Sequence, residues 1–166
     1  MKYRPGYTLI EILIVVVIIS TLAALGMDLL RPRDEERIAG AVRMFAQDVE
    51  WARSATLSMP HDPASIRLLE DETGWMVARN SAPTIAMTAS DGTTMYRVLG
   101  EGMSASANGV RLVSSDTDER QIEFEPFGGV RTSPASIEMF LPDSDRKCLI
   151  TFNESNGSIQ VTWPNP

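Results

Sequence analysis

Gly6, Tyr7 and Glu11 are the residues of this 166-residue chain whose types and spacing point to chemistry. They lie in "RPGYTLIEILIVVVIISTLAALG", residues 4–26, where a glycine closes a short basic leader and an apolar run follows. The chemistry that suits the pattern is a peptide cut after Gly6. A secretory signal has an apolar core of about 7 to 15 residues, with its small-residue cleavage site behind that core. Here the run is longer and the small residue stands in front of it. Cutting there discards "MKYRPG" and keeps the hydrophobic helix. Tyr7 becomes the new amino terminus, and Glu11 becomes the fifth residue of the mature chain.

Glu11 interrupts a run that would otherwise suit lipid. A carboxylate facing hydrocarbon costs about 2.5 to 3.5 kcal/mol on insertion scales, so it calls for a partner. The terminal amine of a neighbouring copy supplies one when helices pack side by side, and the pairing would set the register between subunits. In a plain membrane anchor Glu11 would instead snorkel to the interface, only one turn away.

Elsewhere the chain offers little chemistry. His61 stands in a proline-flanked loop, "MPHDP", with no nucleophile motif beside it, and reads as a surface residue. The carboxylates of "SSDTDER" (114–120) and "PDSDRK" (142–147) lack the register of a calcium loop and read as solvated turns, with weak calcium binding left open. Cys148 is the only cysteine, which excludes an intrachain disulfide and a thiolate-cluster metal site. No GxxxxGK phosphate loop occurs. The expectation is a non-enzyme without catalytic residues, metal or cofactor. A net charge of −7, and a stretch 153–166 with no Lys or Arg, make nucleic acid an unfavoured partner.

The elements that carry these residues follow from periodicity. From Tyr7 to about Leu30 the strongly polar side chains are Glu11 and Asp28, and the apolar part of such a helix rises roughly 30 Å, one hydrocarbon core. "RPRDEER" (31–37) is a charged collar in which Pro32 predicts a kink. Ile38, Val42, Phe45, Val49 and Ala52 then recur every three or four residues, with Asp48, Glu50 and Arg53 placed largely on other faces. This helix ends near Leu57, before "MPHDPAS".

After residue 64 the period becomes alternating. "SIRLLE", "GWMVAR", "TIAMTA", "TMYRVL", "GVRLVS", "QIEFEP", "SIEMFLP", "KCLITFN" and "GSIQVTW" read as short strands, and "NESNGS" as the loop of a closing hairpin. The fold class is α+β: a long N-terminal helix, membrane-spanning in its first half and amphipathic in its second, packed on a small antiparallel β-sandwich-like domain. The organisation is a leader (1–6), a transmembrane or filament-core helix (7–30), its amphipathic continuation (31–59) and a β-rich domain (60–166).

The segment "GYTLIEILIVVVIISTLAALG" resembles the type IV prepilin family. Gly6 matches the glycine before the family's cut, Thr8, Leu9, Ile10 and Glu11 fit its pattern, and Tyr7 stands where phenylalanine is commonest. The resemblance implies a prepilin peptidase that cuts after Gly6 and methylates the amine of Tyr7. It also implies a cytoplasmic leader, a single-pass inner-membrane helix, a periplasmic domain and assembly with other pilins or pseudopilins at an inner-membrane platform. Further along, "AVRMFAQDVEWARSATLSM", "GWMVAR", "IEFEPFGGV" and "NGSIQV" resemble the GspH/FimT group. That likeness implies a minor pseudopilin of a type II secretion system. The alternative is a FimT/FimU-like minor pilin of a type IV pilus, acting in pilus assembly or DNA uptake.

Overall fold

A computed structural model of the chain describes residues 8–29, 34–116 and 120–164, with the backbone alone given for 23–29. It divides into two units, Met1–Arg33 and Asp34–Pro166. The first contains helix α1, Leu9–Leu29. The second contains helix α2, Asp34–Ser58, and ten strands. The helix read from Tyr7 to about Leu57 is described on either side of 30–33, and Pro32, with the kink assigned to it, lies outside the described residues.

Helix α2 starts with Asp34, Glu35 and Glu36, negative charges at the positive end of the helix dipole. Its buried side is the stripe foreseen from the spacing: Ile38, Val42, Phe45, Val49 and Ala52 are all buried. Thr56 fixes the other end. Its hydroxyl donates to the Ala52 carbonyl at 3.0 Å and accepts the Ala64 N–H at 2.9 Å, so the helix end is tied to the first strand.

The strands are β1 (Ala64–Leu68), β2 (Gly74–Arg79), β3 (Ala82–Ala86), β4 (Tyr96–Val98), β5 (Arg111–Ser114), β6 (Gln121–Phe124), β7 (Val130–Thr132), β8 (Ile137–Phe140), β9 (Lys147–Phe152) and β10 (Ile159–Thr162). One sheet runs β3-β2-β1-β6-β7 with β4 also on β2, and the other runs β10-β9-β8-β5. All the pairings are antiparallel. The register puts like with like on the inner faces: Ile66 opposite Val77 and Ile122, Leu112 opposite Met139, and Ile137 opposite Ile150. Both sheets pack on α2, as the alternating pattern requires of faces that must bury their apolar side. Phe45 meets the edge of Trp75 at 5.1 Å between ring centres.

All nine foreseen strands form, although β3 begins before "TIAMTA", at Ala82. Strand β7 and a 3-10 turn at Gly102–Ala107 are additions that the alternation does not reveal. The closing hairpin read at "NESNGS" forms, and it pairs Phe152 with Ile159 and Ile150 with Val161. In its loop only Gly157 takes positive φ, at 69°. A Cβ there would collide with the Gly128 carbonyl oxygen, so glycine is needed for both backbone conformation and space.

Cys148 is fully buried opposite Met139. Burial pushes its thiol up from 9.0 to about 11. The folded state therefore favours the protonated thiol, a contribution complete below the ordinary value and lost as pH rises toward 11. At pH 8 the native chain should react with a disulfide reagent about a hundredfold more slowly than the unfolded chain, from thiolate scarcity alone. Equal rates in the two states would contradict this burial.

Candidate functional site

In α1, Thr8 caps the helix. Its carbonyl accepts the N–H of Glu11 at 3.1 Å and that of Ile12 at 3.3 Å, and its hydroxyl oxygen also accepts the Glu11 N–H at 3.3 Å. Glu11 therefore occupies the third helical position after an N-cap threonine, the Thr-x-x-Glu spacing of a capping box. Its negative charge there complements the helix dipole. The sequence reading gave Thr8 no role, yet the spacing of a hydroxyl and a carboxylate three apart carries that signal.

The rest of the described part of α1 is apolar on every side. From Leu9, 83% exposed, to Leu22 at 63%, the described leucines, isoleucines and valines are each about half exposed or more. An α-helix apolar all round is built to be surrounded by lipid or by other helices. Its two hydroxyl residues need nothing from outside. Ser20 donates to the Val16 carbonyl at 2.7 Å, and Thr21 to the carbonyls of Val17 and Ile18. Glu11 differs, because its carboxylate has no partner among the described residues. The described side chains stop at Leu22, so the span foreseen over 7–30 lies partly outside them. Among the described residues, no helix is long and apolar enough to cross a membrane.

Of the residues singled out for the site, Glu11 is described and exposed, while Gly6 and Tyr7 lie outside the described residues. The remaining candidates do not converge. His61 is an exposed loop residue. Asp116 and Arg120 flank 117–119, which are not described, and Asp143 and Asp145 are exposed. Among the described residues, no group of three His, Cys, Asp or Glu could hold a metal ion.

Asp48, a charged residue buried among the described residues, has a structural use. Asp48, placed on an outer face by its polarity, is 4% exposed and lies within the apolar stripe. Its Oδ2 accepts the Trp75 indole N–H at 2.9 Å and the Arg97 Nε–H at 3.0 Å, and its Oδ1 accepts the Arg97 Nη2–H at 3.3 Å. Helix α2, β2 and β4 are joined at this carboxylate. The Asp48 carboxylate is thereby committed to three bonds that hold the fold together.

No curated protein and no solved structure matches the chain. Residues 1–27 match the family described as the prokaryotic N-terminal methylation motif. The match takes in Gly6, Tyr7, Thr8 and Glu11 together with the described apolar side chains of α1, and it supports a type IV pilin-like, prepilin-type amino terminus.

Proposed function

We propose that the chain is a minor pseudopilin, a structural subunit of a type II secretion pseudopilus. In this reading a prepilin peptidase cuts after Gly6 and methylates Tyr7. The freed helix then assembles with other pseudopilins at an inner-membrane platform. The observation that carries the reading is Glu11: a carboxylate without a partner among the described residues, at the capped start of a helix whose described side chains are apolar on all sides, the fifth residue past the expected cut. The described side chains end at Leu22, but the helical backbone of α1 continues to Leu29, and its 21 residues rise about 32 Å, close to the roughly 30 Å of a bilayer core. That length supports an inner-membrane span before assembly, with the leader cytoplasmic and residues 34–166 periplasmic.

The GspH/FimT assignment rests on the sequence likeness and is supported by an α2 packed on two antiparallel sheets. Of the two machines, secretion is favoured over a DNA-capturing pilus tip, because 153–166 carries no basic residue.

The test is intact mass and N-terminal analysis after co-expression with a prepilin peptidase. The expected product starts at N-methylated Tyr7, and the Gly6→Ala variant remains uncut. A wild-type chain that keeps "MKYRPG" would overturn the reading.

A further inference from the structure

We propose that the free edge of strand β10 takes up an extended, uncharged segment of a different pilin-type subunit, which adds to this sheet as a further strand. The inference rests on the filament reading and names one contact within it.

Strand β10 ends its sheet, and among the described residues no strand pairs with its outer side. Hydrogen bonding fixes which groups face outward. The Asn153 N–H donates to the Ser158 carbonyl at 2.8 Å, and from there Phe152 stands opposite Ile159 and Thr151 opposite Gln160. In an antiparallel ladder such bonds recur at every second residue, so Gln160 and Thr162 bond to β9. The N–H and C=O groups of Ile159 and Val161 therefore point away from β9, with no partner among the described residues. A row of such groups matches another extended backbone and little else.

The other ends of the two sheets are closed. At β5 the Leu112 N–H donates to the Glu72 carbonyl and Arg111 Nη1 to the Asp71 carbonyl, both at 3.0 Å. At β7 the Val130 N–H donates to the Glu154 carbonyl at 2.9 Å. Strand β3 carries Pro83, and its pairing with β2 shifts register between Ala78 and Arg79. Such blocks keep an edge from joining another chain. Strand β10 has none of them. Its four pairs with β9 keep one register, residues 155–166 hold no charged side chain, and Pro164 lies beyond the strand.

The inner face is unfinished at the same edge. Ile159 and Val161 share a face with Phe152 and Ile150, and the Phe152 ring lies 6.4 Å from that of Phe45 on α2. Alternation puts Trp163 on that face too. Yet Val161 and Trp163 stay 36% and 43% exposed, because no further strand covers them. Trp163 and Pro164 line a groove of about 510 Å³ together with Ala39 and Arg43 of α2. Its charges balance. Arg146 and Lys147 are matched at 3.0 and 3.2 Å by Glu35 and Glu138, and Arg43 is offset in the lining by Glu36. A strand added about 4.8 Å beyond β10 would turn alternate side chains toward this groove, where small apolar ones fit and charged ones gain nothing.

A second copy is not the occupant. Two β10 edges would pair about a two-fold axis and close at a dimer, which cannot extend a filament. A head-to-tail copy would have to offer β5, whose edge is closed. The added strand therefore comes from a different subunit, as a minor component of a mixed filament requires.

The full chain is co-expressed with prepilin peptidase and the other pilin-type subunits of its cell. Amide hydrogen exchange then compares the membrane assembly with the detergent-solubilised monomer. Exchange at Ile159 and Val161 is expected to slow about a hundredfold on assembly. A photo-reactive phenylalanine analogue placed at Gln160 should join the chain to an extended, uncharged segment of one other pilin-type subunit. Val161→Pro removes an N–H that bonds nothing within the chain, so the monomer should fold while the cross-link falls about tenfold. Val161→Thr keeps that N–H and should keep the cross-link. Unchanged exchange at both amides, a cross-link to a second copy or to a helix, or a yield indifferent to Val161→Pro would each overturn the proposal. Should Val161→Pro fail to fold, exchange and cross-linking without that substitution still decide. If Tyr7 is cut and methylated and the chain assembles with both amides still fast, this contact alone fails. If the chain keeps residues 1–6, the filament reading fails with it.

Discussion

Asp48→Ala is expected to lower the unfolding free energy by about 3 to 5 kcal/mol, the largest loss of any single side chain outside the packed apolar residues. The carboxylate is almost wholly buried and accepts three hydrogen bonds from Trp75 and Arg97. Removing it strands the Arg97 guanidinium, whose side chain is only 15% exposed, as an unpaired charge against the core. It also leaves the Trp75 indole N–H, in a residue fully buried against Phe45, without an acceptor. Asp48→Asn keeps one acceptor but loses the charge, so it should fall between, at about 1.5 to 3 kcal/mol. Trp75→Phe preserves most of the ring volume and leaves the ion pair intact, for about 1 kcal/mol. Replacing both charges, as Asp48→Leu with Arg97→Met, should cost less than Asp48→Ala alone, because no orphaned charge remains. Denaturant titration of the detergent-solubilised chain, followed by tryptophan fluorescence, measures all four. An Asp48→Ala midpoint indistinguishable from wild type would mean that water reaches Arg97 and that the cluster does not join α2 to β2 and β4.

Asp48 also marks where the sequence is hard to read. It lies three residues after Phe45 and four before Ala52, squarely on the helical stripe, so period alone puts it inside. Residue type argues the other way. The conflict resolves only when its partners are known, and they come from positions 75 and 97, far along the chain. Short-range pattern was sufficient elsewhere. Alternation located nine strands, six of which bury side chains, while β3, β4 and β10 bury none fully, and the Asn-Gly pair in "NESNGS" located the last hairpin. Strand β7 escaped because three residues hold too little alternation, and its Val130 is secured by a bond to Glu154 from the loop after β9. The 3-10 turn escaped for a related reason. "GMSASA" is made of small residues whose burial depends on α2 lying close, with the Ser106 hydroxyl 3.7 Å from a Cβ built on Gly40. At the candidate site, Glu11 was legible from its incongruity alone, while the cap at Thr8 appears only once the helix start is defined.

Glu11→Leu is expected to leave processing at Gly6 intact and to abolish assembly. The substitution makes α1 more apolar, so membrane insertion should improve rather than fail, by about 2.5 to 3.5 kcal/mol on insertion scales. Association should move in the opposite direction. If each Glu11 neutralises the amine of a neighbouring Tyr7, its removal leaves that amine charged and unpaired among packed apolar helices. At about 3 kcal/mol per contact, the association constant falls more than a hundredfold. Glu11→Gln should recover little, since an amide accepts a hydrogen bond but does not cancel the charge. The cap supplies the control within the same helix. Thr8 bonds the main-chain N–H of Glu11, not its carboxylate, so the bond at 3.3 Å survives either substitution and helix fraying does not explain the loss. The measurement is the fraction of methylated chain recovered in sheared or sedimented filaments, for wild type and both variants at equal expression. Assembly of Glu11→Leu within twofold of wild type would place the carboxylate at the lipid interface instead, with the register of the filament set by the apolar side chains.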